Sequence, residues 1–397
     1  GLLVARDGRY AFRHEVAPEA ILAAADPSVR IRLHARILAA LEAEPGAGHS
    51  LALLAHHADA AGDRDAVLRY AVPAARQAAA VNANREAAAQ FARAIRAAGS
   101  LSDVERAHLL YEYADAHGVI GRDDLALVGY QEAAEIWQRL GDPGREARAL
   151  SRVASAFVGL GRNREADVAS RRALDLVSTL PLGPERVEVL LNEAWLRMLD
   201  RDNGDAIAIG REVLAAGADV VSGRARATAL NFVGAARILL DDPGGRDDLL
   251  EAIAISEREG IPRGVVVAYG NLGSAFGEMY RFADAAPYLE AGVRYATERD
   301  IDGSYQEAWL ALVHLHRGQW REAGRLAGEL ARRAHLPTLT RIMALLALGR
   351  LKARRGDADA WTVLDEAVAV AEPPGPLQRI GPVRAARAEA AWLAGDL

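Results

Sequence analysis

Apolar positions recur at three- and four-residue spacing along most of the chain, in runs broken by short polar turns. That period places each apolar set on one helix face and predicts a succession of amphipathic helices. The turns usually open with Gly and a polar residue: Gly62-Asp63, Gly121-Arg122, Gly161-Arg162, Gly318-Gln319, Gly356-Asp357 and Gly395-Asp396. Near position 201 the turn reads Asp200-Arg201-Asp202-Asn203, and near 280 it reads Tyr280-Arg281. A small residue usually follows about five positions later, at Ala66, Ala126, Ala166, Ala206, Ala285 and Ala323. From Ala87 through Ala126, Ala166 and Ala206 the steps are 39, 40 and 40 residues, and from Ala285 to Ala323 the step is 38. The unit is plainest over Val265–Gly292, where Tyr269, Leu272-Gly273 and Phe276 form one stripe and Ala285, Leu289 and Gly292 the next. Gly273 is expected to let the two helices approach closely. Leu150, Val153-Ala154, Phe157, Ala166 and Ala173 repeat the design, as do Leu110, Tyr113-Ala114, His117, Ala126, Tyr130 and Ala133. Two copies depart from it. Asp241-Asp242-Pro243-Gly244-Gly245 lengthens one turn, and Trp361 stands where the last copy expects a small residue, which predicts looser packing there.

The unit resembles the tetratricopeptide repeat, with a large residue, Leu-Gly and an aromatic on one helix and Ala, aromatic and Ala on the next. The usual period is about 34 residues; a period nearer 39 implies slightly longer helices. The resemblance implies an all-α fold, a right-handed helical superhelix of about nine helix pairs over residues 47–397. Each pair buries its stripe against its neighbours, so no single large core is needed. Pro181-Leu182-Gly183-Pro184 and Pro373-Pro374-Gly375-Pro376 read as long loops between helices, not domain boundaries, because the period resumes after each.

Residues 1–46 do not fit the period. Leu2-Leu3-Val4 and Tyr10-Ala11-Phe12 flank Asp7-Gly8, a hairpin signal. A helix is expected over Glu15–Ala25, and Asp26-Pro27-Ser28 caps a longer one over Val29–Glu44. A hairpin followed by helices suits the remnant of a winged helix. The run Tyr10-Ala11-Phe12-Arg13-His14-Glu15, with Arg32-Leu33-His34 and Leu54-Ala55-His56-His57, resembles the junction in large ATP-dependent LuxR-type transcriptional regulators. That resemblance implies an upstream ATPase module ending in the winged helix, a repeat region, and a DNA-binding helix-turn-helix beyond it. Cyclase- and kinase-type regulators share the middle, so the output domain stays open. The sequence starts at Gly1 without Met and stops within the recurring pattern, as a segment of a longer protein would. It carries no Gly-x4-Gly-Lys-Ser/Thr phosphate loop. ATP is therefore implied only for the missing upstream module, and no cofactor is expected in this chain.

Composition narrows the functions. The 397 residues are 51% hydrophobic and 6% aromatic, with no Cys, which excludes disulfides, thiol nucleophiles and Cys-ligated zinc. The net charge of −6 without a basic block disfavours nucleic-acid binding by this chain alone. No stretch is apolar enough for a membrane helix, and a cytoplasmic protein is expected. No esterase elbow or His-Glu-x-x-His zinc motif occurs, so no enzymatic activity is expected. His56-His57 invites a metal, but adjacent helical residues point about 100° apart, and His14 or His34 would have to converge from a distance. A packing role is expected for them and no metal site. Asp241-Asp242 with Asp247-Asp248 lacks the order of a calcium loop. Tyr113, Tyr130, Phe157, Tyr269 and Phe276 lie on the stripes and are expected in the core.

Off the stripes, the first helices carry His108, Tyr111, Asp115, Arg148, Ser151, Ser155, Ser274, Tyr305 and His316. If first helices line a groove, these mixed polar and aromatic positions are the candidate surface for an unknown effector or protein partner. The expected function is the sensor and interaction region of a LuxR-family regulator. The alternatives are a constitutive scaffold or self-association module, and the regulatory arm of a cyclase- or kinase-type protein.

Overall fold

The computed structural model describes residues 3–6, 9–12, 26–43, 48–334, 336–371 and 377–396. Among the described residues the chain is all-α apart from one hairpin, and its helices form tetratricopeptide-like antiparallel pairs. It divides into two compact units, residues 1–136 and 137–397.

The first unit begins with strands β1 (Leu3–Arg6) and β2 (Arg9–Phe12), paired antiparallel with Leu3 opposite Phe12 and Arg6 opposite Arg9. The hairpin predicted around Asp7-Gly8 is present. The helix expected over Glu15–Ala25 and the domain boundary at 46/47 lie outside the described residues. Helix α1 (Pro27–Glu42) starts two residues before the expected Val29, with the expected cap: Asp26 accepts from the Ser28 backbone N–H at 2.8 Å and Pro27 lies in the first turn. Then follow α2 (Leu51–Ala61), α3 (Arg64–Ala80), α4 (Asn84–Ala97), α5 (Asp103–Val119) and α6 (Asp123–Leu140). Ser102 and Glu105 close a reciprocal cap on α5. Ala66, Val67, Ala71, Phe91 and Ala94 lie in the core of this unit. By contrast α1 buries only Leu38, while Val29, Leu33 and Ile37 are exposed at four-residue spacing.

The second unit contains α7 (Pro143–Gly159), α8 (Asn163–Val177), α9 (Pro184–Leu199), α10 (Asn203–Leu214), α11 (Gly223–Leu239), α12 (Gly244–Arg258) and α13 (Pro262–Glu278). It continues with α14 (Phe282–Glu298), α15 (Ser304–His316), α16 (Trp320–Ala331), α17 (Thr338–Arg355), α18 (Ala360–Ala371) and α19 (Leu377–Ala394). Odd-numbered helices are the first of each pair. Each packs on the next odd-numbered helix, so α7 through α19 form one continuous row. Each even-numbered helix fits between the first helix of its own pair and that of the next.

Small residues set the spacing. Ala166, Ala206, Ala285 and Ala323 are all buried, at the recurring positions. A Cβ built on Gly273 would lie 2.2 Å from Leu289 Cδ2, so the expected close approach of α13 and α14 is real. The last copy differs from expectation. Its second helix starts later after the turn glycine, and the small position, four residues after Gly356 instead of five, is filled by buried Ala360 while Trp361 turns outward. Packing there stays tight, with Leu364 fully buried against Gly349. The turn position taken by Gly121, Gly161, Gly318 and Gly356 is left-handed, and Arg201, Asp241 and Tyr280 adopt the same positive φ where glycine is lacking.

The start of α19 also touches earlier helices of the second unit. Arg379 of α19 donates to the carbonyl of Val158 in α7 at 3.4 Å, and the Leu377 backbone N–H faces the Asp200 carboxylate beyond α9. Burial, with Asp167 nearby, holds that carboxyl above its ordinary range despite Arg197 and the Leu377 N–H.

Candidate functional site

The row of first helices in the second unit carries polar contacts between neighbours, from α7 to α9 and from α11 through α13 to α15. On α7, Arg148 pairs with Glu188 of α9 at 2.6 Å. Two turns on, Ser155 donates to Asn192 Oδ1 at 2.5 Å, and Asn192 Nδ2 donates to the Ser151 carbonyl at 2.9 Å. Asn231 of α11 then accepts from Asn271 Nδ2 of α13 at 3.2 Å. Gln306 of α15 donates to the Val266 carbonyl of α13 at 2.7 Å. These side chains are buried or half-buried, where an unmet amide is costly, so the contacts fix the register of neighbouring helices. An amide has two N–H donors and two acceptor lone pairs. The Asn271–Asn231 bond uses one of each, leaving capacity for a further partner.

The candidate residues of the first helices fall into three groups, two of them on the row. Arg148, Ser151 and Ser155 come together with Glu188 and Asn192; Ser151 is buried and Ser155 half-buried. Ser274 and Tyr305 meet between α13 and α15, where burial pushes the Tyr305 phenol above its ordinary range and the Ser274 hydroxyl opposes the shift. His316 shares α15 with Tyr305 but belongs elsewhere. Its ring stacks on Phe282 with centroids 4.5 Å apart and meets the edge of Tyr280. Burial first, and then Arg354 and Arg350 against an opposing Glu389, push its pKa down to about 4.

In the first unit, His108 is exposed on α5, but Tyr111 is buried. The expectation that Tyr111 faces an open groove is therefore corrected. Its ring meets Tyr130 of α6 edge-on at 5.3 Å, and Tyr130 donates to Asp115 at 2.5 Å, so both candidates tie α5 to α6.

Asn192, Asn231 and Asn271 escaped the sequence reading. Their signal is the period itself, since they stand 39 and 40 residues apart. The acidic turn is no cation site by its partners: Arg237 takes Asp242 at 2.8 Å and Asp248 at 2.6 Å. The expectation about the histidines also changes. His34 of α1 does converge on His56 and His57 of α2, and their ligand atoms all lie within 4.8 Å of one another. Burial first, and then neighbouring imidazoles, hold His34 and His57 below the ordinary histidine range. His14 lies outside the described residues.

No protein-family model and no curated protein sequence matches the chain. Solved structures do. A Rap protein complexed with competence and sporulation factor aligns with TM-score 0.60 at 15% identity, over 92% of this chain and 99% of that one. A signal-transduction ATPase with a tetratricopeptide repeat sensor from Pyrococcus horikoshii aligns with TM-score 0.46 at 13% identity. That match covers 100% of this chain and 58% of the ATPase. The Rap conjugation gene regulator of plasmid pLS20, in complex with the Phr* peptide, gives TM-score 0.44 at 14% identity, over 86% and 78% of the chains. At such identity the first of these likenesses establishes the fold, and the chain is a tetratricopeptide-like helical repeat protein.

Proposed function

We propose that this chain is the sensor and protein-interaction repeat region of a bacterial LuxR-family transcriptional regulator. The carrying observation is the recurrence of amides and hydroxyls joining first helices, Ser155 with Asn192 and Asn231 with Asn271. Side chains that offer donor and acceptor together suit an extended peptide or a flat polar effector, whose own amide groups have the same needs. Because each contact joins two neighbouring helices, a bound partner that competes for them favours one helix spacing over another. That difference in affinity is what a sensor passes on. The Rap protein of similar fold is described in complex with competence and sporulation factor, which agrees with a partner-binding role. ATP and DNA binding belong in this reading to other parts of the parent protein. The chain itself is not an enzyme and works in the cytoplasm; among the described residues no helix is long and apolar enough to cross a membrane. A self-association module is the second reading, favoured by the exposed Val29, Leu33 and Ile37 of α1.

The test is a calorimetric and thermal-shift screen of the tag-free chain against random peptides and polar metabolites. The variant Asn231→Ala/Asn271→Ala is then titrated with whatever binds. The expected result is at least a tenfold loss of affinity with helicity unchanged. Undiminished binding by a folded variant would remove the polar row from the function.

A further inference from the structure

We propose that His34, His56 and His57 form a three-imidazole site for a divalent transition metal, with zinc the best fit. The site arises from how two helices face each other. His56 and His57 are adjacent on α2, and His34 on α1 forms a triangle of rings with them. One ligand atom of each ring lies within 4.8 Å of the others, despite the 100° divergence that argues against sharing an ion.

The geometry matches the ion. Ring centroids are 5.0 Å apart for His34–His57, 5.2 Å for His56–His57 and 5.7 Å for His34–His56. A tetrahedral zinc bound through nitrogen at about 2.0–2.1 Å holds imidazole centroids about 5.2 Å apart. His34 Nδ1 and His57 Nδ1 approach to 2.8 Å. In such a pair of neutral rings one Nδ1–H donates to the other Nδ1; binding an ion at both moves that proton to the Nε2 of its own ring, and each Nδ1 then gives a lone pair to the metal. Neutral imidazole suits zinc, copper and nickel, whereas magnesium and calcium need oxygen ligands, and the cluster has none. His56 is exposed, so the fourth position opens to water. Arg30, one turn before His34, is the cationic neighbour that opposes the ion and limits affinity.

The consequence is structural. Helix α1 buries little besides Leu38, and an ion held by His34 and the α2 pair would pin it to the unit. Metal binding would then set how firmly α1 is docked.

The experiment uses the tag-free full chain after chelator dialysis, titrated with zinc by calorimetry and with cobalt by visible absorption. Expected are one ion per chain, a tetrahedral cobalt spectrum and a rise in melting temperature with zinc but not magnesium. His34→Gln and His57→Gln should each weaken binding at least tenfold. His56→Gln, at an exposed position, gives the same loss without a packing change and keeps the test decisive if His57→Gln misfolds. Absence of stoichiometric binding, an octahedral cobalt spectrum, or unchanged affinity in the folded variants would overturn the site.

Discussion

Gly273→Ala is the sharpest test of how the repeat packs, because one methyl is forced into a filled space. The added Cβ would lie 2.2 Å from Leu289 Cδ2 and 2.3 Å from Leu289 Cγ. Leu289 is fully buried, so it has no solvent to swing into. Relief requires α13 and α14 to part, or Leu289 to leave its rotamer, by roughly an ångström; overpacking of this kind costs about 1–3 kcal/mol. Against it stands the gain from removing a mid-helix glycine, about 0.5–1 kcal/mol. The expected net effect is a loss of about 1–2 kcal/mol, read as a lower unfolding midpoint in urea and faster hydrogen exchange in α13 and α14. Gly204→Ala is the control. It sits in the first turn of α10 with nothing within 4 Å of its Cβ, and should leave stability unchanged or raise it by about 0.5 kcal/mol. Leu289→Ala alone should cost about 2–5 kcal/mol, and the double variant less than the sum, since the new methyl occupies part of the vacated space. A Gly273→Ala protein as stable as wild type, or strict additivity in the double variant, would refute the close-approach argument.

Two further outcomes concern charge. With its pKa pushed down to about 4 from an ordinary 6.5, His316 binds a proton more readily in the unfolded chain than in the folded one. Stability should therefore fall as pH drops from about 6.5 to 4, by less than about 3 kcal/mol because water screens part of the half-buried ring, and His316→Phe should flatten that slope in acid-unfolding curves. Arg201 grips Glu278 through two bonds of 2.6 and 3.0 Å, while burial holds the Glu278 carboxyl above its ordinary range. Arg201→Ala should cost about 2 kcal/mol at pH 7, and the loss should shrink as pH falls through the raised pKa and Glu278 takes up a proton; a pH-independent loss would assign the effect to packing.

What the sequence revealed depended on how locally each feature is encoded. The alanine period was legible because Ala126, Ala166, Ala206 and Ala285 each answer to one neighbouring helix at a fixed offset. The Asp26 cap and the hairpin around Asp7-Gly8 were legible for the same reason. The polar row was not, because one Asn per pair has no local signature among many polar residues. Tyr111 was misread because it adjoins Leu110 on the stripe, and a 100° step does not say which side of the stripe another helix covers. The histidine cluster depends on the facing of two helices, 23 residues apart at His34 and His57. Ala360 was missed because the small position there is the first residue of its helix and not the fourth, one step closer to the turn glycine than in the other copies.

The contact between α19 and α7 changes the mechanics of the second unit. An open stack of helix pairs unravels from its ends, each pair held only by the next, and stability is nearly a sum over neighbours. Here Arg379 reaches back 221 residues to Val158. In an unstructured chain, closing a loop of that length would cost about 5 kcal/mol of entropy. The stacked pairs have already met that cost by the time the ends touch. That bond works as a latch on α19, added to the hold of its neighbours α17 and α18. Opening the latch would leave α19 with the same kind of neighbours as the end helix of any open stack.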